Sequence, residues 1–244
     1  MLNEPNQELA VITGAARRIG RRIALEMAFK GYAIGLHYHQ SKKEALQTAA
    51  EIEEIGAAVI LLPADLCDPC AIEGMFSKIS ASPYRLSVLV NSAAEMQMGN
   101  LRDLTVESWD QTLTLNLRAP WLCARAAAPL MEESGGIIIN ISDSGARKVW
   151  GGYPAYIISK AGLETLTRLL ARSLSPKIRV NGVAPGLVLP PADLAPEEWG
   201  RLVDRLPLPR EGSVDDIAKA VSFLIESPYI TGEILIVDGG YQLI

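Results

Sequence analysis

The chain has 244 residues, 49% of them apolar and 21% charged, enough for one large α/β domain or two small ones with a sizeable core. A net charge of -5 argues against general affinity for nucleic acid or an acidic membrane surface. No apolar run reaches the ~18 residues of a membrane span, the opening MLNEPNQELA is polar and acidic rather than a signal peptide, and three cysteines set no disulfide framework, so a cytoplasmic protein is expected.

From Leu9 to Thr13 (LAVIT) the chain is continuously apolar and partly β-branched, the pattern of a buried parallel strand. It runs into Gly14-Ala15-Ala16-Arg17-Arg18-Ile19-Gly20 and then an amphipathic helix to about Lys30. A strand, a glycine turn and a helix start make a phosphate site, because unpaired backbone N–H groups and the helix dipole converge on the anion. The arginines at 17, 18, 21 and 22 lie beside that turn; such a cluster also occurs on solvated helix faces.

A second strand spans residues 32 to 38. In a dinucleotide-binding unit an acidic residue at its end would bond the adenosine ribose. Here His37, Tyr38, His39, Gln40, Ser41 and Lys42 follow, with no carboxylate to repel a 2′-phosphate. Arg17, His39, Ser41 and Lys42 favour NADP(H) over NAD(H). A helix over 42 to 55 ends at Gly56, a C-cap signal. The third strand leads to Ala64-Asp65-Leu66, and a short helix begins at Pro69. Cys67 and Cys70 form one C-x-x-C; a structural zinc needs four ligands. His37 and His39, expected on one strand face, are the remaining candidates, and no metal is expected.

Leu86 to Asn91 is the fourth strand, and Asn91-Ser92-Ala93-Ala94 at its C-terminal end is placed to floor a cofactor cleft. A long helix from Val106 past Trp121 contains Asn116, with Pro120 four residues on. A mid-helix proline is expected to kink it and to free the Asn116 carbonyl for a water. Gly136 to Ile141 is the fifth strand and delivers SDSGARKVWGGYPAYIISK, residues 142 to 160. If Pro154 opens a helix, Tyr156 and Lys160 share a face one turn apart. The ammonium is then expected to favour the phenolate and lower the tyrosine pKa. Taken alone, the pair reads equally as a surface pair.

The sixth strand, residues 178 to 183, ends at Ala184-Pro185-Gly186. The proline-rich stretch over 187 to 209, with a short helix from Pro196, is expected to cover the substrate side. A helix from Ser213 and a last strand at 233 to 237 complete a single α/β domain, a doubly wound seven-stranded parallel sheet with helices on both faces.

In this order, TGAARRIG, Asp65, NSAA, Asn116, YIISK, APG and VDGG resemble the short-chain dehydrogenase/reductase family over essentially the whole chain. The resemblance implies a Rossmann fold and an NADP(H)-dependent oxidoreductase. The cofactor would be held by Gly14, Arg17, Arg18, Ile19, Gly20, His37, His39, Ser41, Asp65, Leu66, Asn91, Ala93, Pro185, Gly186, Tyr156 and Lys160. Asn116, Tyr156 and Lys160 would be catalytic. The family's serine thirteen residues before the tyrosine is Asp143 here, and Arg18 replaces the middle glycine of the turn. With HYHQS after the second strand, these departures resemble the pteridine reductase branch. They imply a pterin-type substrate facing Arg18, Met96, Asp143, Tyr156 and Leu187, and Asp143 passing a proton to Tyr156. Met96 stands where trypanosomatid pteridine reductases carry a stacking Phe. A 3-ketoacyl-type or general carbonyl reductase and a non-catalytic NADP-binding sensor are the alternatives. The family commonly forms tetramers, so a homotetramer is expected.

Overall fold

Seven strands form one parallel sheet: β1 (Glu8–Ile12), β2 (Ala33–Tyr38), β3 (Val59–Pro63), β4 (Arg85–Asn91), β5 (Gly136–Ile141), β6 (Ile178–Pro185) and β7 (Ile234–Val237). Their order across the sheet is β3-β2-β1-β4-β5-β6-β7. The computed structural model describes residues 7–148, 150–191 and 194–244. The first six residues of the polar tail, Val149 in the Ser142 to Lys160 stretch, and residues 192 and 193 of the expected cover lie outside them.

The helices are α1 (Arg18–Phe29), α2 (Lys42–Ile55), α3 (Pro69–Ser80), α4 (Val106–Leu113), α5 (Ala119–Met131), α6 (Pro154–Leu174), α7 (Pro196–Asp204) and α8 (Val214–Glu226). Strand side chains alternate between faces, so each strand feeds two cores. Ala10 and Ile12 pack with Ile23, Met27, Ile52, Ile217 and Val221 of α1, α2 and α8. Leu9 and Val11 pack with Ile72, Phe76, Ala124 and Met131 of α3 and α5. Helices therefore cover both faces, as the unbroken apolar strands require. Each fully buried Leu or Ile contributes roughly 1.5–3 kcal/mol of transfer free energy.

Local signals set the helix ends. Gly56 closes α2 at φ 92, in the left-handed region. Asp68 caps α3 by accepting the Cys70 N–H, with Pro69 in the first turn. Ser213 and Asp216 form a reciprocal capping box on α8. Among the described residues no helix is long and apolar enough to cross a membrane.

The helix expected from Val106 past Trp121 is interrupted differently from the expected proline kink. Residues Thr114–Arg118 form a π-helical turn between α4 and α5, with the Ala119 N–H donating to Thr114 O. Pro120 falls in the first turn of α5, where a proline is tolerated. The irregularity thus precedes the proline and centres on Asn116; such π turns recur at functional sites.

The crossover from β3 at the sheet edge to β4 beside β1 makes a topological switch point. Loops leaving the C-terminal ends of β1 and β4 go to opposite faces and leave a crevice between them. The glycine turn, the loop after β4 and the stretch after β5 all open on this edge.

Candidate active site

Helix α6 opens at Pro154 and places Tyr156 and Lys160 one turn apart, 7% and 3% exposed. Lys160 Nζ donates to the Ile141 carbonyl at 2.7 Å, which ties α6 to the end of β5. Two residues beyond that carbonyl, Asp143 starts a short 3-10 turn, Ser144–Arg147. Its Oδ1 accepts the Gly145 N–H at 2.7 Å and its Oδ2 accepts the Tyr156 hydroxyl proton at 2.7 Å.

The electrostatics differ from the expected tyrosinate. Burial pushes the Tyr156 pKa well above its ordinary value, the Asp143 charge and hydrogen bond add to this, and Arg18 opposes it. Burial also lowers Lys160 to about 8, against the pull of Asp143. The ammonium lies 5.6 Å from the Tyr156 ring centroid and is spent on Ile141. The tyrosine is therefore held as a phenol, the form that donates a proton. Asp143 is raised, first by burial, while Tyr156, Gly145 and Lys160 lower it.

Asn116, 1% exposed, uses its whole side chain. Its Oδ1 accepts the Glu95 N–H at 3.0 Å; its Nδ2 donates to Glu95 O at 2.9 Å and to Ser159 Oγ at 3.1 Å. Ser159 Oγ donates in turn to Tyr156 O at 2.6 Å. The π turn thus clamps the loop after β4 to the catalytic helix. Glu95 Oε1 also accepts from Thr112 Oγ1 at 3.1 Å. Ser159 and Glu95 are not among the residues expected at the site; their only signal in the sequence is their placement beside Lys160 and NSAA.

The glycine turn is built by close approach. Gly14 sits at φ 67, and a Cβ there would come within 2.9 Å of Ala93 Cα; a Cβ on Gly20 would meet Gly14 O at 2.4 Å. Thr13 Oγ1 joins the two loops by accepting the N–H groups of Ser92 at 2.9 Å and Ala93 at 3.0 Å. No side chain caps α1, so its first N–H groups remain available to an anion. Arg17 and Arg18 are exposed there, Ile19 is half-buried, and Arg18 has φ 56, the left-handed region a glycine would favour. Exposed His39 and half-buried Ser41 follow β2 on the same edge.

Several residues expected at the cofactor have their side chains turned into the protein. His37 is 2% exposed: its Nδ1 accepts the Gly14 N–H at 3.0 Å, and its Nε2 lies 3.1 Å from Ala64 O. It is a strut beneath the turn, fixed as the neutral Nε2–H tautomer; burial lowers its pKa to about 4. Because β2 ends at Tyr38, His39 is exposed and does not share a face with it. The Asn91 amide donates to Asn140 Oδ1 at 2.8 Å inside the sheet. The Leu66 side chain belongs to the core beneath α3. These last two leave only backbone for a cofactor.

The other candidates lie at or beyond the C-terminal ends of β3, β4 and β6. Asp65 Oδ1 accepts the Cys67 N–H at 2.9 Å. Pro185 ends β6, and a Cβ on Gly186 would meet Asp238 Cα at 2.5 Å. Met96 is half-buried in the loop after β4, which bonds across the cleft from Gly99 N to Gly152 O at 2.8 Å. Leu187 packs with Trp199, Val203, Leu206 and Tyr241, an apolar cluster that ties α7 to the C-terminal segment. Leu187 is thus part of that segment's own packed cluster.

A family model described as enoyl-(acyl carrier protein) reductase matches residues 14–242. The chain is 33% identical over 240 residues to 3-oxoacyl-(acyl-carrier-protein) reductase FabG of Staphylococcus aureus, covering 96% of this chain and 98% of that one. The chain belongs to the short-chain dehydrogenase/reductase family. As a member of that family it is an oxidoreductase. Among solved structures it resembles FolM alternative dihydrofolate reductase 1 from Brucella canis complexed with NADP, with TM-score 0.92, 31% identity and 98% and 95% of the two chains covered. It also resembles a blue fluorescent protein from a metagenomic library in complex with NADPH, with TM-score 0.90, 36% identity and 97% and 98% covered.

Proposed function

We propose that this short-chain reductase uses NADPH to reduce the C=N bond of a dihydropterin or a related heterocycle. The observation that carries the reading is the hydrogen bond from the Tyr156 phenol to Asp143 Oδ2 at 2.7 Å. A serine at that position would only polarise the tyrosine, whereas a carboxyl can also pass it a proton. The likeness to a dihydrofolate reductase structure supports the same substrate class.

The residues fit the cofactor. The bare turn at Gly14 and Gly20 and the uncapped start of α1 suit a pyrophosphate. Arg17, His39 and Ser41 suit a 2′-phosphate, with no carboxylate at the end of β2 to repel it. Bound there, NADPH would supply the hydride for the ring carbon. Tyr156 gives its hydroxyl proton to the ring nitrogen, so the C=N bond becomes CH–NH. The tyrosinate is then reprotonated through Asp143, whose carboxylate takes up a proton from solvent and hands it to the phenolate oxygen. Lys160, buried and charged beside the pair, offsets the negative charge while the proton is away. The Arg18 charge acts on the same phenol and lowers its pKa.

The 33% identity with a 3-oxoacyl reductase supports a second reading, reduction of a ketoacyl thioester. NADPH oxidation with dihydrobiopterin or dihydrofolate, set against acetoacetyl thioesters, separates the two. Absence of turnover with any pterin would sink the first. We also infer a homotetramer in solution: α5 and α6 expose Trp121, Ile158 and Leu169, 42%, 43% and 62% accessible. Light scattering at a single-chain mass would refute this.

A further inference from the structure

The turn that carries Asp143 is held from outside the site by the C-terminal segment. Lys148, just past that turn, donates from Nζ to Tyr241 O at 2.8 Å and also to Ile244 O. The same ammonium lies 4.0 Å from the Tyr241 ring centroid. The Tyr241 ring, 8% exposed, meets the Trp150 indole with centroids 5.9 Å apart and planes at 55°, a favourable tilted contact. The edge of the indole lies against Gly145. Its Cζ2 and Cη2 are 2.8 Å from where a Cβ on Gly145 would stand, and Asp143 Oδ1 is 2.9 Å from the same point. Gly145 also donates its N–H to that oxygen at 2.7 Å.

We propose that Lys148, Trp150 and Tyr241 form a clasp that positions Asp143, holding the indole over Gly145 so that the Oδ1 side of the carboxyl is shielded from water while Oδ2 stays on the Tyr156 phenol. The three are positioning residues, acting through Gly145. The charged and titratable groups around the pair explain why a cover is needed. Tyr156 and Lys160 from α6, with the Gly145 N–H, all favour the Asp143 carboxylate. Arg18 at the start of α1 acts on Tyr156, and Tyr241 feels the Asp143 charge. Arg147, on the same turn, is taken by Glu164 at 3.1 and 3.2 Å. Desolvation opposes these groups, and an indole held in place by a second aromatic ring contributes to it on the Oδ1 side. Tyr241 also lies in the cluster with Leu187 and Trp199, so the clasp joins the substrate cover to the Asp143 turn.

The inference rests on the Asp143–Tyr156 pair of the proposed function but not on its substrate, so the test uses neither substrate nor cofactor. Protonation of Asp143 is followed by infrared difference titration of the full chain, its carboxyl band assigned by loss in Asp143→Asn. Trp150→Ala and Lys148→Met should each lower the midpoint by about one pH unit, and Trp150→Phe, which keeps an aromatic cover, should restore it. A midpoint unmoved in folded Trp150→Ala, with only thermal stability lost, would overturn the proposal. So would a Trp150→Phe midpoint displaced as far as that of the alanine variant. Should Trp150→Ala not fold, the Lys148→Met midpoint decides alone. Lack of pterin turnover would leave this titration readable.

Discussion

Asp143 Oδ2 and the Tyr156 hydroxyl meet at 2.7 Å while the other carboxylate oxygen is pinned by the Gly145 N–H, also at 2.7 Å. One oxygen is anchored and the other serves the phenol, so the carboxyl cannot rotate away without losing both bonds. Lys160 stays close but bonds the Ile141 carbonyl, which leaves Asp143 as the hydrogen-bond partner of the tyrosine.

Replacing Tyr156 by Phe removes the donated proton and little else, since the ring still fills its buried site. Turnover should fall by about 10²–10⁴-fold, with NADPH binding, followed by fluorescence titration, nearly unchanged. Asp143→Ser and Asp143→Asn both leave the phenol a hydrogen-bond partner but have no proton to hand on, so turnover should fall in both. Full wild-type turnover in either variant would contradict a relay through Asp143.

Gly20→Ala tests the cofactor turn. The added methyl would stand 2.4 Å from Gly14 O, which is backbone and cannot swing aside. The turn must open, and about 1–3 kcal/mol of stability should be lost with it. The dissociation constant for NADPH should rise while Asp143 and Tyr156 keep their bond. Calorimetric titration with NADPH and a thermal melt read the two effects separately.

His37 gives the fold a defined acid sensitivity. Its pKa is about 4 in the folded chain and 6.5 when unfolded, so between these values the unfolded state binds a proton that the folded state does not. Stability therefore declines as pH falls from 6.5 toward 4 and no further on this account below 4, by on the order of 3 kcal/mol in total. Thermal melts across this window should show a component that His37→Gln lacks. Parallel pH profiles for the two proteins would refute the role of the strut.

The sheet, its order of elements and the positions of Tyr156, Lys160 and Asp143 were legible because each rests on local pattern: apolar strands, a helix-opening proline, a fixed spacing. What escaped depends on burial and distant partners. His37 read as a cofactor contact because its neighbours do, yet its strand position turns it under Gly14. The Tyr156 shift runs opposite to the expected one because spacing gives proximity to Lys160 but not the desolvation that raises the phenol. Pro120 suggested a kink where a π turn stands, since the sequence does not show which residue absorbs an extra helical position. The clasp links residues 148, 150 and 241 through tertiary packing that no local pattern encodes.

Arg18 combines strain with function in one residue. It occupies φ 56, where a side chain costs roughly 1–2 kcal/mol, and it replaces the glycine that the turn's geometry favours. Its charge also lowers the Tyr156 pKa, against burial and Asp143. Arg18→Gly removes both effects together. The strain is relieved, partly offset by the greater freedom of glycine in the unfolded chain, so stability should rise by roughly 0.5–1 kcal/mol. Proton donation should weaken, because a phenol with a still higher pKa is a poorer acid. A raised melting temperature with a lowered kcat is the expected pair of results. A variant that gains stability and keeps its full kcat would show that the arginine does not act on the tyrosine.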